Sequence, residues 1–264
     1  MEDRINGSTM LYGLIGNPVE HSCSPQLHNT LNRLLGINAV YIPMKTEKKD
    51  LGSVINGLKA AGFQGLNITI PFKEEVLKYV GSLSPEVERM GSANVISFKD
   101  GKAIAGNTDG AGFLRSFQRE VEMGSNSTLG NQRRHGQSNV AFKNKKVAII
   151  GSGGAAVAIA FAIAKESPRR ISISNRTIEK AKALAARISA TAAATAATIP
   201  QLIAVELNSQ EEKELLEHSD VIINTTPLGM HPWQDVSPLN ENVLLKESQI
   251  VCDIIYSPAE TKLL

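Results

Sequence analysis

Asn67, Thr69 and Lys73 stand in the run NITIPFK (67–73), which sets an amide, a hydroxyl and an ammonium into an apolar, β-branched stretch. Ile68 and Ile70 alternate as in a buried strand, and Pro71 ends it because proline has no N–H to give a ladder. Polar groups gathered at a strand end can bind a small polar molecule. They also suit a solvated strand end, and the run alone leaves both readings open. Three other stretches raise the same question. HSCSP (21–25) puts Ser22 and Ser24 at a helix entrance, where two hydroxyls beside unpaired N–H groups suit a carboxylate, or where Ser24 is only an N-cap. GSAN (91–94) brings Asn94 to the start of a hairpin. GNTDGAG (106–112) puts Asp109 at a helix start, a position that capping alone explains.

The second half carries a stronger signal. In VAIIGSGGAAVAIAFAIA (147–164) a buried strand runs into Gly151-Ser152-Gly153-Gly154-Ala155-Ala156 and then into a helix of small and apolar residues. This is G-x-G-x-x-A in a strand–turn–helix context. Gly151 permits the tight turn, Gly153 lets backbone approach a pyrophosphate, and Ala156 lets helix and sheet pack closely. Helix N–H groups then face the phosphates. The next strand ends in ISISNRT (171–177), with Asn175-Arg176-Thr177 and no acid. A carboxylate there would hold a ribose 2′-hydroxyl and repel a 2′-phosphate, whereas an arginine fork pairs with the phosphate. The pattern favours NADP, with a solvated strand-end Arg176 as the alternative. NTTPLGM (224–230) follows a later strand and, with Thr225, is expected to form another loop over the cofactor.

Positioning these groups requires strands alternating with helices, an α/β layered pattern. In the first half, strands are expected at 10–16, 39–44 and 65–70 and helices at 24–36 and 50–62, the first capped by Ser24 and the second by Asp50. Another helix should begin near Phe72, followed by a hairpin over 93–110 turning at Asp100-Gly101 and a helix over 111–122. The stretch 123–144, rich in Gly, Ser and Asn, reads as a loop or linker, and the alanine-rich 188–198 as a helix end and surface loop. Strands recur at 146–151, 170–174, 202–207, 220–226 and 249–256. The expected domains are a substrate-binding and catalytic part at 1–115, a connecting helix and linker at 116–145, a nucleotide-binding part at 146–253 and a return segment from 254.

Composition narrows the class. The 264 residues are 42% hydrophobic and 20% charged with a net charge of +2, which gives no warrant for nucleic acid or an anionic membrane. Cys23 and Cys252 are too few for a disulfide framework or metal cluster, and the five histidines lack ligand spacing, so no metal is expected. No apolar run approaches the ~18 residues of a membrane span. The N-terminus lacks a signal peptide's apolar segment, which makes cytoplasmic the default.

Taken in order, GLIGNPVEHSCSPQLHN, NITIPFK, GSANV, GNTDGAGF, GSGGAA, SNRT, NTTPLGM and DIIYSPAETKLL closely resemble the shikimate/quinate dehydrogenase superfamily, and shikimate dehydrogenases in particular. The resemblance implies an N-terminal α/β substrate-binding domain and a C-terminal Rossmann NADP-binding domain with a cleft between them. It implies reversible NADPH-dependent reduction of 3-dehydroshikimate to shikimate, in a monomer or homodimer. Ser22 and Ser24 would bind the substrate carboxylate; Asn67, Thr69, Asn94 and Asp109 would contact ring hydroxyls, with Tyr256 nearby. Lys73 and Asp109 would form the catalytic pair. Gly151, Ser152, Gly153, Gly154, Ala155, Ala156, Asn175, Arg176, Thr177 and Thr225 would surround NADP. Two departures stand out: Val157 occupies a position where the family commonly has arginine, and the chain stops at ETKLL, where relatives continue and supply a substrate-binding glutamine. A raised KM or weak turnover is the corresponding expectation. The competing readings are a broader quinate/shikimate dehydrogenase and a non-catalytic NADP- or metabolite-binding protein.

Overall fold

Two mostly parallel sheets organise the computed structural model, which describes residues 5–126, 141–195 and 198–264. The chain divides into two compact units, Met1–Thr108 and Asp109–Leu264.

The first unit runs β1 (Met10–Gly16), α1 (Ser24–Leu34), β2 (Ala39–Lys45), α2 (Leu51–Ala60), β3 (Phe63–Ile68), β4 (Ser82–Leu83), α3 (Pro85–Met90), β5 (Val95–Lys99) and β6 (Lys102–Gly106). The sheet order is β2-β1-β3-β5-β6-β4. β1 pairs in parallel with β2 and β3, whereas β5 is antiparallel to both β3 and β6. The β5–β6 hairpin turns at Asp100-Gly101, both at positive φ (51° and 72°), the combination that matches strand twist in a two-residue turn. Ile15, Leu51, Ile55, Leu66, Ile68, Phe72, Val76 and Ile96 fill its core.

Some local expectations are corrected. β3 ends at Ile68, and no α-helix begins near Phe72: the chain makes a 3₁₀ turn over Glu75–Tyr79 instead, with Phe72 and Val76 pinned in the core. Ser24 is the first helical residue rather than the cap. Cys23 holds the N-cap position without a side-chain bond, and the Ser24 N–H donates to Ser22 Oγ at 3.2 Å. Asp50 is at the N-cap of α2 but makes no side-chain capping bond, because a 3₁₀ turn over Lys48–Asp50 leads straight into the helix.

The second unit runs α4 (Asp109–Asn126), β7 (Lys146–Ile150), α5 (Gly154–Ala164), β8 (Arg170–Asn175), α6 (Ile178–Ala194), β9 (Gln201–Glu206), α7 (Gln210–Glu217), β10 (Val221–Asn224) and β11 (Ile250–Asp253). All five strands are parallel in the order β9-β8-β7-β10-β11, a Rossmann arrangement whose strand order reverses between β7 and β10. α5 is buried on every side from Ala156 to Ile163, as its lack of any polar face requires. Gly110 lets α4 approach it: a Cβ there would lie 2.5 Å from the Ala158 carbonyl oxygen. Phe117 stacks on the fully buried Phe142, ring centroids 4.4 Å apart, and each buried phenyl contributes roughly 1.5–3 kcal/mol.

The alanine-rich stretch is mainly helix, not surface loop. α6 continues to Ala194, with Ile188 and Ala192 buried, since alanine is the best helix former. The stretch read as a linker is helical at its start, where α4 reaches Asn126; residues 127–140 of it lie outside the described residues.

Candidate functional site

Strand ends and the turns after them carry the polar residues of the first unit. Asn67, half-buried on β3, accepts a hydrogen bond at Oδ1 from the Tyr41 hydroxyl (2.8 Å) and donates from Nδ2 to the Asn94 carbonyl (3.4 Å). The Asn94 side chain is itself buried. Its Oδ1 accepts the Thr108 N–H at 2.9 Å, and its Nδ2 donates to the Thr108 hydroxyl at 3.0 Å. Tyr41, Asn67, Asn94 and Thr108 thus form one hydrogen-bonded chain running from β2 past β3 to the end of the unit. Such a connected network holds each amide in a single orientation.

Thr69 continues the line of β3, its N–H bonded to the Ile15 carbonyl at 2.9 Å. Gly16 makes room for it, since a Cβ there would stand 2.3 Å from Thr69 Cγ2. Lys73 is half-buried, and its carbonyl accepts the Ala93 N–H at 2.7 Å, which ties the turn after β3 to the segment leading into Asn94. Ser22 and Ser24 are half-buried at the start of α1, joined by the bond from the Ser24 N–H to Ser22 Oγ.

The second unit holds the rest. Asp109 opens α4 beside the Gly110 contact, so its backbone is fixed against α5. β7 leads into Gly151, at φ +107°, where a Cβ would sit 2.6 Å from Thr225 Oγ1. Thr225 in turn donates that hydroxyl to the Ile150 carbonyl at 2.6 Å, and the Gly151 N–H reaches the Ser174 carbonyl at 2.7 Å. Gly151 and Thr225 therefore pack together where the strand order reverses, which is where open α/β sheets bind ligands. Gly154, Ala155 and Ala156 form the first turn of α5.

A dinucleotide fits this loop. Gly153 has nothing within 4 Å of where its Cβ would be, leaving backbone open to a phosphate. The Ser152 hydroxyl is buried with no hydrogen-bond partner among the described residues. At the end of β8, Asn175 Nδ2 donates to the Thr177 carbonyl (2.9 Å), shaping a turn that leaves Arg176 exposed, with no carboxylate within the turn. Val157 is fully buried in α5, so that position contributes packing rather than a phosphate contact.

Residues not singled out in the sequence brace these loops. Asn224, fully buried at the end of β10, donates from Nδ2 to Asp253 Oδ1 (3.1 Å) and accepts the Thr226 N–H and hydroxyl at Oδ1 (2.9 and 2.7 Å). Asp253 also accepts from the Thr261 hydroxyl at 2.8 Å and the Ile255 N–H at 3.0 Å. The loop after β10 and the segment after β11 are thus knotted together, and Tyr256 projects beside the knot, 64% exposed. Burial, and then Asp253, pushes the Cys252 thiol up to about 11, which leaves it protonated and unreactive. No group of acidic, histidine or cysteine side chains among the described residues could hold a metal ion.

The comparisons with known proteins identify the family of the chain. A family model described as the shikimate dehydrogenase substrate binding domain matches residues 14–96, and one described as shikimate / quinate 5-dehydrogenase matches residues 134–232. Shikimate dehydrogenase (NADP+) of Methanocaldococcus jannaschii is 39% identical, over 98% of this chain and 83% of its own length. The chain belongs to the shikimate dehydrogenase family. The Bacillus cereus enzyme of that name is 37% identical over 96% of the chain and 82% of its own length. Among solved structures, a shikimate dehydrogenase in complex with NADP+ superposes with a TM-score of 0.79 at 38% identity, over 99% of this chain and 82% of that one. The Listeria monocytogenes enzyme in complex with shikimate and NAD gives 0.80 at 30% identity, over 100% and 84%. The family fold, a substrate-binding domain followed by a Rossmann-like domain, accounts for both sheets.

Proposed function

We propose that this chain is an NADP-dependent shikimate dehydrogenase that reversibly reduces 3-dehydroshikimate to shikimate on the route to aromatic amino acids. The observation that carries the reading is the pairing, within one family chain, of a hydrogen-bonded strand-end cluster around Asn67 and Asn94 with a glycine loop whose neighbouring strand ends in Asn175-Arg176-Thr177 and no acid.

In this reading Ser22 and Ser24 take the substrate carboxylate, and Asn67, Thr69, Asn94 and Asp109 take ring hydroxyls, with Tyr256 at the margin. NADPH, when bound, would supply the hydride that the carbonyl carbon needs. Lys73 stabilises charge growing on the carbonyl oxygen, and the Lys73–Asp109 pair delivers the proton that completes the alcohol. Asp109 orients Lys73 and accepts a bond from a neighbouring hydroxyl. Ser152, Gly153 and the first turn of α5 receive the pyrophosphate, Thr225 braces the loop, and Arg176 pairs with the 2′-phosphate. The substrate-binding part is read as the first unit, ending at Thr108, and the nucleotide-binding part as lying within the second, because α4 runs unbroken through the division expected at 115–116. The protein is read as cytoplasmic, a monomer or homodimer.

Following NADPH absorbance with shikimate and with quinate, each offered NADP and NAD, tests the proposal. Turnover with shikimate and NADP should exceed the other three combinations. Binding of NADPH without turnover of either acid would move the chain to a non-catalytic role.

A further inference from the structure

Shikimate dehydrogenases must fix not only where the amide at Asn67 lies but which of its ends faces the substrate. From the hydrogen-bonded chain in the first unit we infer that Tyr41 is a positioning residue, which sets the Asn67 amide so that it presents an N–H to the bound substrate. The inference rests on the functional reading above and deepens it.

The geometry leaves the amide one choice. Nδ2 faces the Asn94 carbonyl at 3.4 Å, a group that can only accept, so the nitrogen must be on that side. Oδ1 then faces the Tyr41 hydroxyl at 2.8 Å and receives its proton. With one N–H spent on Asn94, the second has no partner among the described residues, and Asn67 is a donor toward any ligand. It therefore selects an oxygen lone pair, such as a ring hydroxyl acting as acceptor. Without the tyrosine hydroxyl, only the long bond to Asn94 would oppose a flip that turns the acceptor outward.

Tyr41 is built to hold that hydroxyl still. Its side chain is buried, at 4% exposure, and its ring stacks on His28 with centroids 4.3 Å apart and planes 15° from parallel. Its backbone is gripped by one side chain of α1: Asn29 Nδ2 donates to the Tyr41 carbonyl at 2.8 Å, and Asn29 Oδ1 accepts the Tyr41 N–H at 2.9 Å. The helix that begins at Ser24 thus also anchors the residue that orients Asn67. One short helix sets the direction of two separate substrate contacts.

Tyr41→Phe keeps the ring, the stacking and the backbone grip and removes only the hydroxyl. The shikimate KM should rise about three- to tenfold, the effect of one hydrogen bond. The change in kcat should stay within about twofold and the KM for NADP should not move. In an Asn67→Ala background the same substitution should have no further effect, because its action runs through that amide. His28→Ala, which keeps the hydroxyl but frees the ring, should shift the shikimate KM the same way and also fall silent with Asn67→Ala. An unchanged KM in Tyr41→Phe overturns the inference, as does an equal loss with and without Asn67. So does a fall in kcat and NADP affinity together, which would mark a general structural role. If the unaltered chain neither binds nor turns over shikimate, the functional reading fails and takes this inference with it. Normal turnover with an inert Tyr41→Phe refutes the inference alone.

Discussion

Gly151 and Gly153 lie two residues apart in one loop, yet alanine at each should do opposite things. At Gly151, φ of +107° disfavours any Cβ, at about 1–2 kcal/mol. The new methyl would also lie 2.6 Å from Thr225 Oγ1 and 3.2 Å from Thr226 Cγ2, an overlap costing roughly 1–3 kcal/mol. Moving Thr225 aside breaks its bond to the Ile150 carbonyl, about 1 kcal/mol more. Gly151→Ala should therefore destabilise the second unit by roughly 3–6 kcal/mol, lowering Tm by on the order of 10 °C. Gly153 has an extended backbone (φ −76°, ψ −177°) and open space around the missing Cβ. Alanine there should change the stability of the cofactor-free protein by about 0.5 kcal/mol or less, as a lost N-cap preference offsets a stiffer unfolded chain. The methyl would nonetheless stand where a pyrophosphate must approach, so NADPH affinity should fall by about tenfold or more. Thermal scans without cofactor and a fluorescence titration with NADPH separate the two effects. A stable Gly153→Ala protein with undiminished NADPH affinity would refute the assignment of this loop to the pyrophosphate.

Three further outcomes are expected. Arg176→Ala should weaken NADP binding by roughly ten- to a hundredfold in direct titration and leave NAD nearly unchanged; equal losses would make Arg176 structural. Lys73→Ala and Asp109→Ala should each depress kcat by about 10²–10⁴-fold with NADP affinity retained, and the double variant should lose far less than their product if the two act as one unit. Burial raises the carboxyl of Glu212 above its ordinary value, against opposing hydrogen bonds from Ser174 and the Asn208 N–H. The folded state then holds that proton more tightly than the unfolded one, so stability is lost as pH climbs from the ordinary carboxylate range through the raised value. Glu212→Gln should flatten this decline and melt higher than the parent above that window, in Tm measured against pH.

Much of the fold was legible because its signals are local. Gly151 through Ala156 announce a tight turn and a close-packed helix within six residues, and short apolar runs mark β1, β2 and β7. The misread pieces are those where a distant partner decides. Nothing in PFKEEVLKYV distinguishes a helix from a 3₁₀ turn; the burial of Phe72 and Val76 settles it. ISATAAATAAT looked like filler because its composition is simple, yet Ile188 and Ala192 turn one face of α6 inward.

The functional residues divide in the same way. Groups on strand ends and glycine loops stand out, because a polar residue ending an apolar run breaks a pattern. Their supports do not. Tyr41 reads as an ordinary strand tyrosine, and Asn224 and Asp253 as strand-end polar residues, until the parallel register of β10 and β11 sets them opposite each other. Asn224 is fully buried and fills its amide with Asp253, Leu228 and Thr226, so a hydrophobic replacement would take one donor from the Asp253 carboxylate and release the loop that carries Thr225. Sequence patterns therefore expose the groups proposed to face a ligand, while the groups that brace them follow from strand register.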